Sequence, residues 1–193
     1  NQARFKPPPF WNELGLATGE YIVMTMHRPA NVDSEHGFRN VLQAIASAVR
    51  GMKVVFPVHP RTAKTLSAMG VLPTNLVLVD PQPYLEFNYL VQRAKAVITD
   101  SGGVTEETTV MGIPCITMRN TTERPETVSI GTNELIGTDP SGLAPALDQL
   151  LDGRWKRGGI PPLWDGKTSE RIAERLDALL GTTTPALQAV RPS

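Results

Sequence analysis

AVITDSGGVTEETTVMGIPCITM, residues 96–118, decides the fold. It opens and closes on short β-branched runs, 96–99 (AVIT) and 115–118 (CITM). Both runs are apolar throughout rather than alternating, as in strands covered on both faces. The stretch 104–111 between them reads as a helix. The unit predicted is therefore strand, polar turn, helix, strand.

The same alternation continues on either side. Further strands are predicted at 21–26 (YIVMTM), 53–58 (KVVFPV) and 76–79 (LVLV). Further helices are predicted at 37–49, 62–69, 84–94, 143–151 and 169–180. In the last, Ile172, Leu176, Leu179 and Leu180 form an i, i+4, i+7, i+8 stripe. This pattern predicts an α/β fold, a Rossmann-like doubly wound parallel sheet with right-handed crossovers. Residues 1–20 read as a linker, extended over the Pro-rich 6–9, with a helix leading in. Residues 21–157 read as the Rossmann-like domain. Residues 158–193 read as a connector, a C-terminal helix and a frayed end at 182–185.

Composition removes several functions. The 193 residues carry 19 Lys and Arg against 19 Asp and Glu, so the formal net charge is zero. A nucleic-acid or membrane-surface partner thus has no electrostatic argument. No apolar run approaches the ~20 residues of a bilayer span. The N-terminal NQARFKPPPFW lacks the apolar core of a signal peptide. A lone cysteine, Cys115, cannot form an internal disulfide, and its apolar run marks it as an inert core thiol. The expected compartment is the cytoplasm. No metal-ligand spacing such as CxxC or HExxH occurs, so neither metal nor other cofactor is expected.

In a doubly wound sheet, ligands bind beyond the carboxyl ends of the strands. All five predicted strand ends are polar. His27-Arg28 follows the first strand and His59-Pro60-Arg61 the second. Each pair suits an anion, or simply a capped surface loop. Asp80-Pro81-Gln82-Pro83-Tyr84 follows the third, with Phe87 beyond. Gln82 and Phe87 can offer an amide and a ring to a planar base, whereas Tyr84 reads as a core aromatic. Asp100-Ser101-Gly102-Gly103 follows the fourth and leads into a helix whose open N–H groups suit a phosphate. Glu106 and Glu107 lie one turn in, where a carboxylate can accept from ribose hydroxyls or merely favour the helix dipole. Arg119 to Glu126 follows the fifth, with two arginines and two glutamates in eight residues. They form either a local ion-pair loop or a guanidinium aimed at the phosphates.

At these residues the chain resembles the C-terminal domain of the non-hydrolysing UDP-N-acetylglucosamine 2-epimerases. The matching segments are TMHRPANVD, FPVHPRT, DPQPYLEF, TDSGGVTEET, RNTTERPETVSIGTNELIG and DGKTSERIAERL. The resemblance implies one half of a glycosyltransferase-B arrangement, two Rossmann-like domains with a nucleotide sugar between them. It implies that His27 contacts the diphosphate and is catalytic. Gln82 and Phe87 would flank the uracil, and Ser101, Gly102 and Gly103 would bind the phosphates. Glu107 would take the ribose hydroxyls and Arg124 would reach toward UDP. Arg28 and His59 become candidates for an allosteric contact with a second substrate molecule.

The implied reaction interconverts UDP-N-acetylglucosamine and UDP-N-acetylmannosamine by eliminating and re-adding UDP, in service of cell-surface polysaccharide synthesis. The implied partners are UDP, the UDP-N-acetylhexosamine, an N-terminal domain of the same enzyme and a second copy in a homodimer. That N-terminal domain supplies the carboxylates for proton transfer at C2, so residues 1–193 are expected to be inactive alone. The alternatives are the donor half of a glycosyltransferase or a non-catalytic nucleotide-sugar module.

Overall fold

Helices cover both faces of the central sheet, which explains why its strands are apolar on both sides. The computed structural model describes residues 2–181, with Ala30 and Arg61 described by backbone alone. The predicted frayed end at 182–185 lies outside these residues. The strands are β1 (Tyr21–Thr25), β2 (Lys53–Pro57), β3 (Leu76–Val79), β4 (Ala96–Thr99), β5 (Cys115–Thr117) and β6 (Asn133–Leu135). They form one sheet in the order β3-β2-β1-β4-β5-β6, with every neighbouring pair parallel. The helices are α1 (Pro29–Val32), α2 (Glu35–Ala48), α3 (Pro60–Ala68), α4 (Tyr84–Arg93), α5 (Gly102–Met111), α6 (Pro125–Ser129), α7 (Leu143–Leu151) and α8 (Thr168–Leu180).

Alternate residues of each strand feed separate cores. Ile22, Met24, Phe56, Ile98 and Ile116 pack with Phe38, Leu42 and Ile45 of α2 and Leu143 and Leu147 of α7. Tyr21, Val23, Val55, Val97 and Cys115 pack on the other face with Leu90 and Val91 of α4. Trp11 meets Tyr21 and Tyr89 edge to face, with centroids 5.7 and 5.1 Å away. Cys115 is fully buried, and burial pushes its thiol up to about 11. It is the inert core thiol expected.

The departures from expectation have local causes. Helix α2 starts two residues early because the Ser34 hydroxyl accepts from the Gly37 N–H at 3.1 Å. Strand β6 was not foreseen, since its three residues begin Asn-Glu rather than with an apolar run. Asn133 is held there by its side chain, which accepts from the Thr117 hydroxyl at 2.6 Å and donates to that of Thr127 at 3.2 Å. Strand β3 is an edge strand, not one covered on both faces, and Leu78 is exposed. Among the described residues, no helix is long and apolar enough to cross a membrane.

The backbone divides after Pro161 into two compact units. In the second, Arg171 of α8 clasps Asp165 at 2.8–3.0 Å. In the first, the loop after α6 is pinned by a close approach of two glycines. A Cβ on Gly131 would lie 2.6 Å from the Thr127 carbonyl and from the Thr109 hydroxyl. A Cβ on Gly158, whose φ is +61°, would lie 2.6 Å from the Gly131 carbonyl carbon. Beside them, Gly159 N–H donates to Ile130 O at 2.7 Å and Trp155 Nε1 to Thr132 O at 2.9 Å.

Gly131→Ala forces a methyl against main chain that cannot move aside, an overpacking cost of about 2 kcal/mol. Calorimetry should show a fall in Tm of about 6 °C. An unchanged Tm would contradict this packing.

Candidate functional site

Because every strand runs the same way, the loops after β1 to β5 leave one edge of the sheet. Asp100, at the end of β4, ties two of them together. Its side chain is fully buried, and a buried carboxylate is costly unless donors replace the lost water. Its oxygens accept from the N–H of His27 at 3.1 Å, the N–H of Arg28 at 2.9 Å and Asn31 Nδ2 at 3.0 Å. His27 Nδ1 lies 3.0 Å from Oδ1. Arg28 Nε donates to the Asp100 carbonyl at 2.9 Å. With Nδ1 turned inward, Nε2 lies on the outer side of an imidazole that is 52% exposed. Neither Asp100 nor Asn31 carries a role in the sequence expectations. Their only signal was a carboxylate directly ahead of Ser-Gly-Gly and an amide within TMHRPANVD.

The next residues open α5. Ser101 is the N-cap, yet its side chain makes no capping hydrogen bond. Its N–H donates to Thr99 Oγ1 at 3.0 Å. Gly102 and Gly103 form the first turn, so the glycines lie inside the helix rather than ahead of it. A Cβ on Gly103 would meet nothing within 4 Å. On the Gly103 side, the helix thus presents the positive end of its dipole, without a side-chain cap from Ser101, to open space.

Two arginines flank this tip. Arg119, two residues beyond β5, is buried and binds Glu123 through both terminal nitrogens at 2.8 and 2.7 Å. A Cβ on Gly102 would lie 3.4 Å from Glu123 Oε2 and 3.5 Å from Arg119 Nη1. Arg28 Nη2 approaches Glu123 Oε1 at 3.9 Å. The bidentate Arg119 contact and Glu123's own backbone N–H hold the Glu123 carboxyl down at about 2.

The two acids on α5 have different partners. Glu106 pairs with Arg124 at 2.6 Å, so Arg124 meets α5 rather than standing free. Glu107 accepts from the Tyr84 hydroxyl at 2.8 Å. This corrects the reading of Tyr84 as a core aromatic, because its ring is 52% exposed. Tyr84 is the first residue of α4, and its ring lies outside both cores. Phe87, one turn on, packs against the core instead.

Gln82 turns back on its own loop, where Nε2 donates to Asp80 O at 2.8 Å. A cavity of about 890 Å³ opens beside it, lined by Val58, Leu66, Leu78, Val79 and Glu86 among others. His27 and residues 101–103 do not line that cavity. His59 is exposed just ahead of α3. The structure therefore joins His27, Arg28, Ser101, Gly102 and Gly103 in one cluster. Glu107 and Arg124 lie on the flank of the same helix, with Gln82 and His59 on neighbouring loops.

Residues 2–177 match the sequence profile of the UDP-N-acetylglucosamine 2-epimerase family. The chain belongs to that family. The UDP-N-acetylglucosamine 2-epimerase of Methanocaldococcus jannaschii is 37% identical over 174 residues, which are 86% of this chain and 47% of that protein. A UDP-2,3-diacetamido-2,3-dideoxy-D-glucuronate 2-epimerase of Pseudomonas aeruginosa is 35% identical over 168 residues, 86% of this chain and 47% of that one. The Methanocaldococcus jannaschii enzyme in complex with UDP-GlcNAc and UDP superposes with a TM-score of 0.74. That alignment has 35% identity and covers 88% of this chain and 47% of that one. The chain spans about half the length of the curated relatives it matches.

The depressed Glu123 carboxyl sets a pH window. Its folded value lies below the ordinary 4.5, so its stabilising contribution is complete above that value and is lost as pH falls toward about 2. Carbon-detected NMR should find its midpoint near about 2 and back in the ordinary carboxylate range in Arg119→Gln. An ordinary midpoint in the wild type would contradict the pairing.

Proposed function

We propose that this chain is the nucleotide-holding half of a UDP-N-acetylglucosamine 2-epimerase. It would act with a companion domain that faces the same sheet edge, and isolated residues 1–193 would not epimerise. The observation that carries the proposal is the uncapped tip of α5 beside the Asp100-anchored His27. Two independent features make that place fit for a diphosphate: open N–H groups at a positive dipole end, and an imidazole whose outer nitrogen is free to meet an anion.

In this reading the diphosphate lies across Ser101, Gly102 and Gly103, with His27 Nε2 against it. The ribose hydroxyls donate to Glu107. The uracil lies along Gln82 and Phe87, a reading supported by the Tyr84–Glu107 bond at the start of the helix that carries Phe87. Arg124 acts from the flank through Glu106. The two relatives named above differ in sugar but share UDP and a change at C2. That agrees with a chain that supplies the nucleotide site, while the companion domain meets the sugar.

Such a site is catalytic and not merely adhesive. Elimination breaks the bond between C1 and the β-phosphate oxygen as a base in the companion domain takes the C2 proton, leaving a 2-acetamidoglucal. The departing oxygen gains negative charge. Fixed N–H donors and the His27 ring stabilise that charge without reorganising, and so favour the transition state over the ground state. UDP must stay seated until a proton returns to the other face of C2 and the C1–O bond re-forms.

Two experiments test this. The chain joined to its companion domain, incubated with UDP-N-acetylglucosamine in deuterium oxide, should give the manno epimer with deuterium at C2. Failure to exchange the C2 hydrogen would overturn the reaction. By calorimetry, Gly103→Ala should weaken UDP binding about tenfold or more, at least about 1.4 kcal/mol, with Tm unchanged because its methyl clashes with nothing in the fold. Undiminished UDP affinity would overturn the seat at α5.

A further inference from the structure

The partnering of the two adjacent acids on α5 is unequal. Glu106 is neutralised by the Arg124 guanidinium at 2.6 Å. Glu107 receives a neutral donor, the Tyr84 hydroxyl, at 2.8 Å. A guanidinium would fix a carboxylate but also cancel its charge, whereas a phenol fixes it and leaves the charge in place. Tyr84 engages only Oε1, so Oε2 remains available as an anionic acceptor.

Tyr84 is itself held from two sides. Pro83, with φ −58° and ψ 161°, delivers the chain to α4 and makes Tyr84 its first residue. The Tyr84 carbonyl accepts from Nδ2 of the buried Asn88 at 3.0 Å. That bond secures the first turn of α4 independently of the phenol. The ring, 52% exposed, adds little to either core. Its hydroxyl stays protonated, because the hydrogen bond to Glu107 raises its pKa above the ordinary tyrosine value.

We infer that Tyr84 is a positioning residue that aims Glu107 at the ribose diol of the nucleotide. The inference rests on the nucleotide reading given above and extends it to a residue on another helix. Without the phenol, Glu107 can rotate about its side-chain bonds, and part of the ordering cost then falls on binding. With it, Oε2 faces the diol before the ligand arrives. The substitution Tyr84→Phe removes only the hydroxyl and keeps the ring, Pro83 and the Asn88 bond.

The test uses the whole chain, calorimetry and two ligands. One is UDP. The other is 2′,3′-dideoxyuridine 5′-diphosphate, which keeps the base and both phosphates but lacks the hydroxyls. In Tyr84→Phe, UDP affinity should fall about three- to tenfold, as for one hydrogen bond of ordinary strength. Affinity for the dideoxy ligand should not change. In a Glu107→Gln background, adding Tyr84→Phe should cost nothing further for UDP. An equal loss for both ligands would overturn the inference by showing a merely structural role. So would no loss for either. If the wild-type chain binds neither ligand, the nucleotide reading itself falls. That outcome is distinct from one in which UDP binds and Tyr84 proves irrelevant.

Discussion

A carboxylate with no exposure to water sits at the centre of this site. Asp100 is tolerated only because three donors and the His27 ring converge on it. Those partners all come from the segment that follows β1, Asn31 from the short helix α1, while Asp100 directly follows β4. Strands β1 and β4 are direct neighbours in the sheet. The desolvation penalty of one side chain thus forces two loops into a single arrangement. His27 and the start of α5 inherit their relative placement from it.

The rest of the site is arranged by charge sorting in a protein with no net charge. Arg119 is occupied by Glu123, Arg124 by Glu106, and Arg28 bridges the Asp100 carbonyl and Glu123. The groups left facing outward are the N–H tip of α5, the outer nitrogen of His27 and one oxygen of Glu107. The first two suit an anion and the third suits hydroxyls. A nucleoside diphosphate carries both features, phosphates at one end and a diol a few bonds away. Along the chain His27 follows β1, the N–H tip opens α5, and Glu107 lies one turn further on.

Much of this was legible before any coordinates. The largely apolar runs at 21–26, 53–58 and 96–99 read as strands covered on both faces, and strand–helix alternation then points to a parallel sheet. The polar residues after each run point to the edge where the strand-end loops gather. What could not be read was how those residues share partners. Asp100 looked like one more turn residue, since nothing local shows that a side chain is buried by a loop some 70 positions away. Tyr84 reads as a core aromatic but stands 52% exposed, since two aromatics three residues apart give no local sign of which is buried deeper. Only the start of α4 at Pro83 decides which ring turns inward. Strand β6 escaped notice because side-chain hydrogen bonds of Asn133, rather than apolar pattern, hold it in the sheet.

Family membership narrows the chemistry without supplying all of it, since the chain spans about half of the relatives' length and those relatives differ in sugar. In the function proposed above, the part of this chain is to seat the diphosphate on the amides that open α5. The most direct measurement is a UDP titration of the isotope-labelled chain followed by amide NMR. The account predicts the largest shifts at Gly102 and Gly103, with the His27 ring moving in step. Shifts confined to the cavity beside β3, around Leu66 and Leu78, with Gly103 unmoved, would contradict it.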